Sequence, residues 1–347
     1  MAQAKVSRYF LGANTARGFY SLYEAFGSPH DMIWYIKGGP GNGKSTFMRT
    51  VAAAAEEEGL TVEYAFCSGD PASLDAIYIP ERRIGYVDAT SPHVQEPGLP
   101  GVTGRYLDLS AFYKKGIKLE PRAIADGFTA YRRHYSRAYE LLGAAELADP
   151  ARTPDLTVAG AMDALSQRAG DMTRSLPEHG AANSVRRLFL SAWTCEGRTF
   201  FRESLDRFKK VYWLHSDAGL ADPFLREIDT LCRCRALATI QCLDPLSPER
   251  LEGVLIPEAD TAFYRYLSGG KRKGSHIYLD KDLLTGDADV LSSYQRSAAL
   301  YAHLLRQVAD ALAKAKRFHD ALEAEYRPWV DFKALDRLTS RHIKEYI

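Results

Sequence analysis

Eight consecutive residues, Gly38-Gly39-Pro40-Gly41-Asn42-Gly43-Lys44-Ser45, follow the pattern G-x-x-x-x-G-K-[ST], and Thr46 comes next. The apolar run Met32-Ile33-Trp34-Tyr35-Ile36 precedes them, and Phe47-Met48-Arg49-Thr50-Val51 with four alanines follows, so the local order reads strand, tight loop, helix. Each fixed position has a mechanical reason. Glycines let successive backbone N–H groups curl around an anion, and the helix N-terminus adds its dipole. Lys44 is expected to reach the β- and γ-phosphates of a nucleotide, Ser45 to offer its hydroxyl to Mg²⁺, and Thr46 to continue the helix. A ligand-free glycine turn is the plainer alternative, and the flanking strand and helix favour phosphate binding over it.

The first half of the chain recurs weakly in the second, and this repeat is the next constraint. Phe10-Leu11-Gly12-Ala13-Asn14-Thr15 returns 179 residues later from Phe189, and Met32–Lys37 returns as Lys210-Val211-Tyr212-Trp213-Leu214-His215 at an offset of 178. Cys67-Ser68-Gly69-Asp70-Pro71 is paired with Cys242-Leu243-Asp244-Pro245, and Ile79-Pro80-Glu81 with Ile256-Pro257-Glu258. The counterpart of the glycine loop is then Ser216–Phe224, with Ala221-Asp222-Pro223 set against Gly43-Lys44-Ser45. A carboxylate repels phosphate, and proline lacks both a hydroxyl and a backbone N–H, so the second half is expected to hold no nucleotide in this way.

A nucleotide site needs an acidic residue at the end of a hydrophobic strand to hold Mg²⁺, usually through water. Asp88, after Arg83-Ile84-Gly85-Tyr86-Val87, fits that place, whereas the equivalent position in the second half is Arg265. Glu81 and Asp70, whose counterparts Glu258 and Asp244 persist where the loop has decayed, read as architectural on this comparison. His93 could orient a γ-phosphate, with a solvated loop histidine as the plainer reading, and Arg132, Arg133 and Arg137 could supply an arginine finger, with an exposed helix face preferred for them. Leu267-Ser268-Gly269-Gly270-Lys271 imitates a transporter signature, but it leads into a strand rather than opening a helix. No Asn-Lys-x-Asp element follows the loop, so ATP is expected rather than GTP.

The expected fold class is α/β: a P-loop NTPase-type, mostly parallel sheet with flanking helices, duplicated as two tandem halves. The expected domains are 1–150, an ATP-binding half with a helical extension; 151–182, a helical connector; and 183–347, a degenerate half with C-terminal helices. Helices are expected over 121–147, 158–176, 288–326 and 331–347. Lys plus Arg number 45 against 44 Asp plus Glu, which gives no general argument for nucleic acid or an anionic membrane. No apolar stretch approaches membrane-spanning length, and the five scattered cysteines suit reduced thiols, so a cytoplasmic location is expected. A protein partner or self-association is left open.

The assembled residues resemble an uncharacterised family of bacterial cytosolic ATPases built from two tandem P-loop halves. The resemblance is carried by Phe10–Thr15 with Gly18-Phe19, the loop from Lys37 to Thr46, Cys67-Ser68 with Asp70-Pro71, Ile79-Pro80-Glu81, Val87-Asp88-Ala89-Thr90 with Pro92-His93, and Phe318-His319-Asp320-Ala321-Leu322-Glu323. It implies ATP and Mg²⁺ but supplies no substrate beyond them. In that family the second half also carries a glycine-lysine loop, and this chain departs from it at Ser216–Phe224. ATP hydrolysis by the first half is therefore the expectation, with a small-molecule or nucleotide kinase and a non-hydrolysing ATP-dependent switch as alternatives.

Overall fold

A computed structural model describes residues 6–347 apart from 29, 92–93, 153–156, 181–182, 268–271 and 282. His93 and all but Leu267 of the Leu267–Lys271 motif lie outside the described residues.

In the first half a short strand β1 (Val6–Phe10) leads to a hairpin of β2 (Gly12–Thr15) and β3 (Gly18–Ser21). Strand β4 (Met32–Lys37) then enters the glycine loop and helix α1 (Lys44–Glu57). Strands β5 (Val62–Phe66), β6 (Leu74–Ile79), β7 (Ile84–Asp88) and β8 (Gly104–Asp108) complete the sheet. Helices α2 (Pro121–Leu147) and α3 (Ala161–Thr173) follow. The second half repeats this order with β9 (Val185–Leu188), β10 (Ser191–Thr194), β11 (Gly197–Phe200), β12 (Lys210–His215) and α4 (Ala221–Cys234). Then come β13 (Thr239–Leu243), β14 (Leu251–Ile256), β15 (Thr261–Arg265), β16 (Ser275–Tyr278), α5 (Ala288–Tyr326) and α6 (Phe332–Tyr346).

The first sheet has the strand order β1-β5-β6-β7-β4-β8, and the second, written from its β9 edge, has β9-β13-β14-β15-β12-β16. These orders are the same position for position. In each sheet five strands run parallel and one, β6 or β14, runs against both its neighbours. The chain is thus α/β, with mixed, mostly parallel sheets in two similar halves. The antiparallel strand is an addition to the expected order, since its run Leu74-Asp75-Ala76-Ile77-Tyr78-Ile79 carries a charge that the sheet buries.

The two sheets meet where Phe10 and Phe189 exchange backbone hydrogen bonds, N–H to carbonyl, at 2.8 and 3.1 Å. These residues are repeat equivalents, so the junction lies on an approximate two-fold axis within one chain. Phe201 packs there on both Phe10 and Phe66, with ring centroids 4.7 and 4.6 Å away. Burial of such rings supplies the largest apolar area per residue, so the joint is part of the core rather than a linker.

The helices do not stay with the sheets they follow. Helix α3, which follows the first sheet, packs on α4 of the second, and α6, which follows the second, packs on α1 of the first. The two crossings are matched by isolated backbone bridges, Thr157 with Leu284 and Tyr113 with Val330. Helices α2 and α5 lie against each other along much of their lengths. Inside the first half, α6 delivers His342 edge-on to Trp34 and Phe47, with centroids 4.7 and 5.4 Å apart. Each half therefore completes its core with a helix from the other, an exchange invisible in the order of elements along the chain.

Candidate functional site

The 38–43 loop turns out of β4 and into the N-terminus of α1. Gly41 (φ 67°) and Gly43 (φ 84°) hold left-handed backbone that other residues adopt at a cost of roughly 1–2 kcal/mol. The turn leads into α1 at Lys44, and the first backbone N–H groups of a helix have no partner within the helix itself. Lys44 folds back so that its ammonium donates to the carbonyl oxygens of Gly38 (2.9 Å) and Gly39 (3.0 Å). Asp88 ends β7, which lies directly beside β4 with Ile36 opposite Asp88. Its carboxylate stands 3.7 Å from the Lys44 ammonium while accepting from the Thr90 backbone N–H at 2.9 Å. Ser45 follows on the helix, and its Oγ accepts from the backbone N–H of Leu74 at 3.0 Å. Lys44 and Asp88 thus face each other, and Ser45 lines the same cavity.

The loop opens into a cavity of about 590 Å³, the size of a small-molecule site. Gly38, Gly39, Pro40, Gly41, Asn42, Gly43 and Thr46 all line it, and its far wall is built by residues remote in sequence. Tyr131 and Tyr135 come from α2, and Lys316, His319 and Glu323 from α5. Lys316 bridges Asp70 (3.2 Å) and Asp320 (2.6 Å). Burial would lower its pKa, but the carboxylates of Asp320 and Asp70 outweigh this and raise it, so the ammonium stays charged. Burial above all, then Asp75, pushes the Cys67 thiol well above its ordinary range, which leaves this cavity-lining cysteine protonated and a poor nucleophile.

The long helix α5 closes over the loop. A Cβ placed on Gly41 would meet the Glu323 carbonyl oxygen at 2.9 Å, and one on Gly43 would meet Leu335 of α6 at 2.8 Å. Arg132, Arg133 and Arg137 do not line this cavity; Arg137 pairs with Glu140 on the exposed face of α2. The arginines that do line it are Arg49 and Arg327. His319 and Glu323 belong to the stretch that carries the family resemblance, which assigns them no role. Their four-residue spacing places them on one helix face, but only the crossing of the helices shows which sheet that face meets.

Superimposable hydrogen bonds correct two of the sequence pairings. Ser45 accepts from Leu74, and Asp222 accepts from Leu251 at 2.8 Å; both pairs are related by 177 residues. Arg49 and Arg226 likewise donate to the equivalent carbonyls of Ala72 and Glu249. Asp222 therefore stands where Ser45 does, and Ala221 stands where Lys44 does. The physical reason is a loop one residue shorter, 216–220 against 38–43, which shifts the following helix by one position. In the same way Cys67 donates its N–H to Ser73 and Asp244 to Arg250, which makes Asp244 the equivalent of Cys67 and Ser247 that of Asp70. Asp70 is not retained in the second half, so the comparison gives no ground for reading it as merely architectural.

The corresponding position of the second half is filled from within. Arg265, in the position of Asp88, pairs with Asp244 (3.2 Å) and with the fully buried Glu252 (3.0 Å). Arg198 also pairs with Glu252. A guanidinium and two carboxylates thus take the places that Asp88, Cys67 and Asp75 hold beside the glycine loop.

No family model, curated protein or solved structure matches this chain. No described helix is long and apolar enough to cross a membrane.

Proposed function

We propose that the chain is a P-loop NTPase that binds ATP with Mg²⁺ over residues 38–46 and hydrolyses it, one nucleotide per chain. The observation that carries this reading is the meeting of the Lys44 ammonium and the Asp88 carboxylate at the mouth of a left-handed glycine loop that opens a 14-residue helix. The donor set fits the chemistry of a magnesium triphosphate. Backbone N–H groups and an ammonium suit phosphate oxygens, and a hydroxyl and a carboxylate are the hard oxygen ligands Mg²⁺ takes. Bound there through Ser45 and, indirectly, Asp88, the ion would neutralise charge on the phosphates.

The remaining roles belong to the chain itself. The loop N–H groups orient the triphosphate, and Lys44 exchanges the Gly38 and Gly39 carbonyls for phosphate oxygens, with Asp88 holding it in line. Catalysis is then chiefly positioning and charge neutralisation. The second half, with Ala221 in the place of Lys44, serves as a scaffold.

Phosphoryl transfer to a small acceptor is a second reading, favoured by the extension of the cavity past the loop to Tyr131 and Lys316. Calorimetric titration with Mg²⁺–ATP and phosphate-release assays test the proposal. One site per chain is expected, with binding and turnover abolished by Lys44→Ala. Two sites, or turnover that survives this substitution, would overturn it; turnover strictly dependent on an acceptor would move it to the kinase reading.

A further inference from the structure

Resting on that reading, we infer that Glu323 of α5 is the carboxylate that orients and deprotonates the attacking water. The described carboxylates lining the cavity are Asp70, Asp75, Asp88 and Glu323, and three are already engaged. Asp70 accepts from the backbone N–H of Ala72 (3.0 Å), the Ser73 hydroxyl (3.0 Å) and Lys316. Asp75 is buried and accepts from the Tyr23 hydroxyl at 2.6 Å. Asp88 is held by Thr90 and faces Lys44. Among the described residues Glu323 pairs with His319 alone, 3.7 Å away on the preceding turn, and its side chain keeps 44% of its exposure; the nearby Asp320 is itself held by Lys316. It is the cavity carboxylate with capacity left to accept a proton.

Its position is fixed by the backbone. The Glu323 carbonyl oxygen and Cα lie 2.9 and 3.3 Å from the point a Cβ on Gly41 would occupy, so this turn of α5 rests on the glycine loop itself. A glycine at 41 is what lets the helix approach so closely. Lys316, two turns earlier, anchors the helix to Asp70 on the loop after β5. In the reaction the water oxygen bonds to the γ-phosphorus while the bond from phosphorus to the β–γ bridging oxygen breaks, its electron pair leaving with ADP. The water proton passes to the Glu323 carboxylate and then to solvent. ATP and water are consumed, and ADP, inorganic phosphate and a proton are released. Because α5 follows the second sheet, the half without a glycine-lysine loop contributes the base to the half that has one.

The test is Glu323→Gln in the full chain, with Glu323→Asp beside it and thermal unfolding to confirm that each folds. General-base removal is expected to cut the single-turnover rate about 10²- to 10⁴-fold, with the dissociation constant for Mg²⁺–ATP staying within about threefold. Glu323→Asp should recover part of the rate. The glutamine variant should also carry unhydrolysed ATP through gel filtration. A rate within about fivefold of wild type at intact binding, or equal losses in binding and rate, would overturn the assignment. Failure of the wild-type chain to bind ATP would instead overturn the nucleotide reading beneath it.

Discussion

Arg265→Met tests whether the second half is held by its internal ion cluster. The guanidinium sits between Asp244 and Glu252, whose side chains are 9% and 0% exposed. Methionine roughly keeps the volume but leaves Asp244 without its nearest cation, while Glu252 retains Arg198. Removing one partner of a buried pair costs about 3–5 kcal/mol, because the other charge stays desolvated. For a chain of 347 residues the unfolding entropy is about 0.7 kcal/mol per degree, so Tm should fall by about 4–7 °C. Calorimetry reads this directly, and since each half completes its core with a helix from the other, one transition is expected. Adding Asp244→Asn should recover part of the loss, because an amide removes the stranded charge. The pH dependence has a definite sign. Burial alone would raise the Asp244 pKa, but Arg265 and Arg198, with the Leu246 N–H, outweigh it and hold the group below its ordinary value. In the wild type this contribution is complete above about pH 4 and is lost as pH falls further. In the variant, burial prevails and favours the protonated acid, so the Tm deficit should shrink on acidification towards pH 4. A drop smaller than about 1 °C, or a deficit independent of pH, would refute the reasoning.

Gly41→Ala forces left-handed backbone on a residue with a Cβ, costing about 1–2 kcal/mol before any clash, and drives that Cβ against the Glu323 carbonyl. Lowered Tm together with weakened ATP binding is expected; unchanged binding by calorimetry would show that α5 does not rest on the loop. His342 is buried among Trp34, Phe47 and Tyr86, and burial holds its pKa below the ordinary histidine value. A neutral buried imidazole stabilises the fold above about pH 6.5, and that contribution is lost as pH falls and the unfolded chain takes up the proton. The fall in wild-type Tm between pH 7 and pH 5 should therefore flatten in His342→Phe, and equal slopes would count against it. Asp222→Ser copies the hydroxyl acceptor that Ser45 provides, so stability should change little and nucleotide stoichiometry should stay at one per chain. A second bound nucleotide would show that the missing lysine was not what disabled that half.

Much of the site was legible because its rules are local. The order glycine loop, lysine, hydroxyl fixes a turn and a helix start within one stretch of backbone, and Asp88 follows from a strand ending beside the loop. The helix over 121–147 was legible from apolar periodicity, and that over 288–326 from its length and the proline at 328 that separates it from the next. The repeat was legible too, but its register was not. Aligning Asp222 with Lys44 kept the letters in step, whereas a one-residue shorter loop put Asp222 on the hydrogen bond that Ser45 makes. Cys67 and Cys242 likewise matched as letters and not as positions.

By itself the sequence determined two α/β halves, a glycine-lysine loop in one and its loss in the other. Only the tertiary structure decided that α3 and α6 change places and that α5 lies across the opposite half's loop. It likewise decided that Arg265 and Arg198 pair with Asp244 and Glu252 at the positions that Asp88, Cys67 and Asp75 hold in the first half. The physical reason is that helix periodicity shows which face must be buried and not against which sheet. Two sheets of the same strand order offer nearly equivalent surfaces, and the choice between them rests on side-chain packing and charge pairing between residues far apart in the chain.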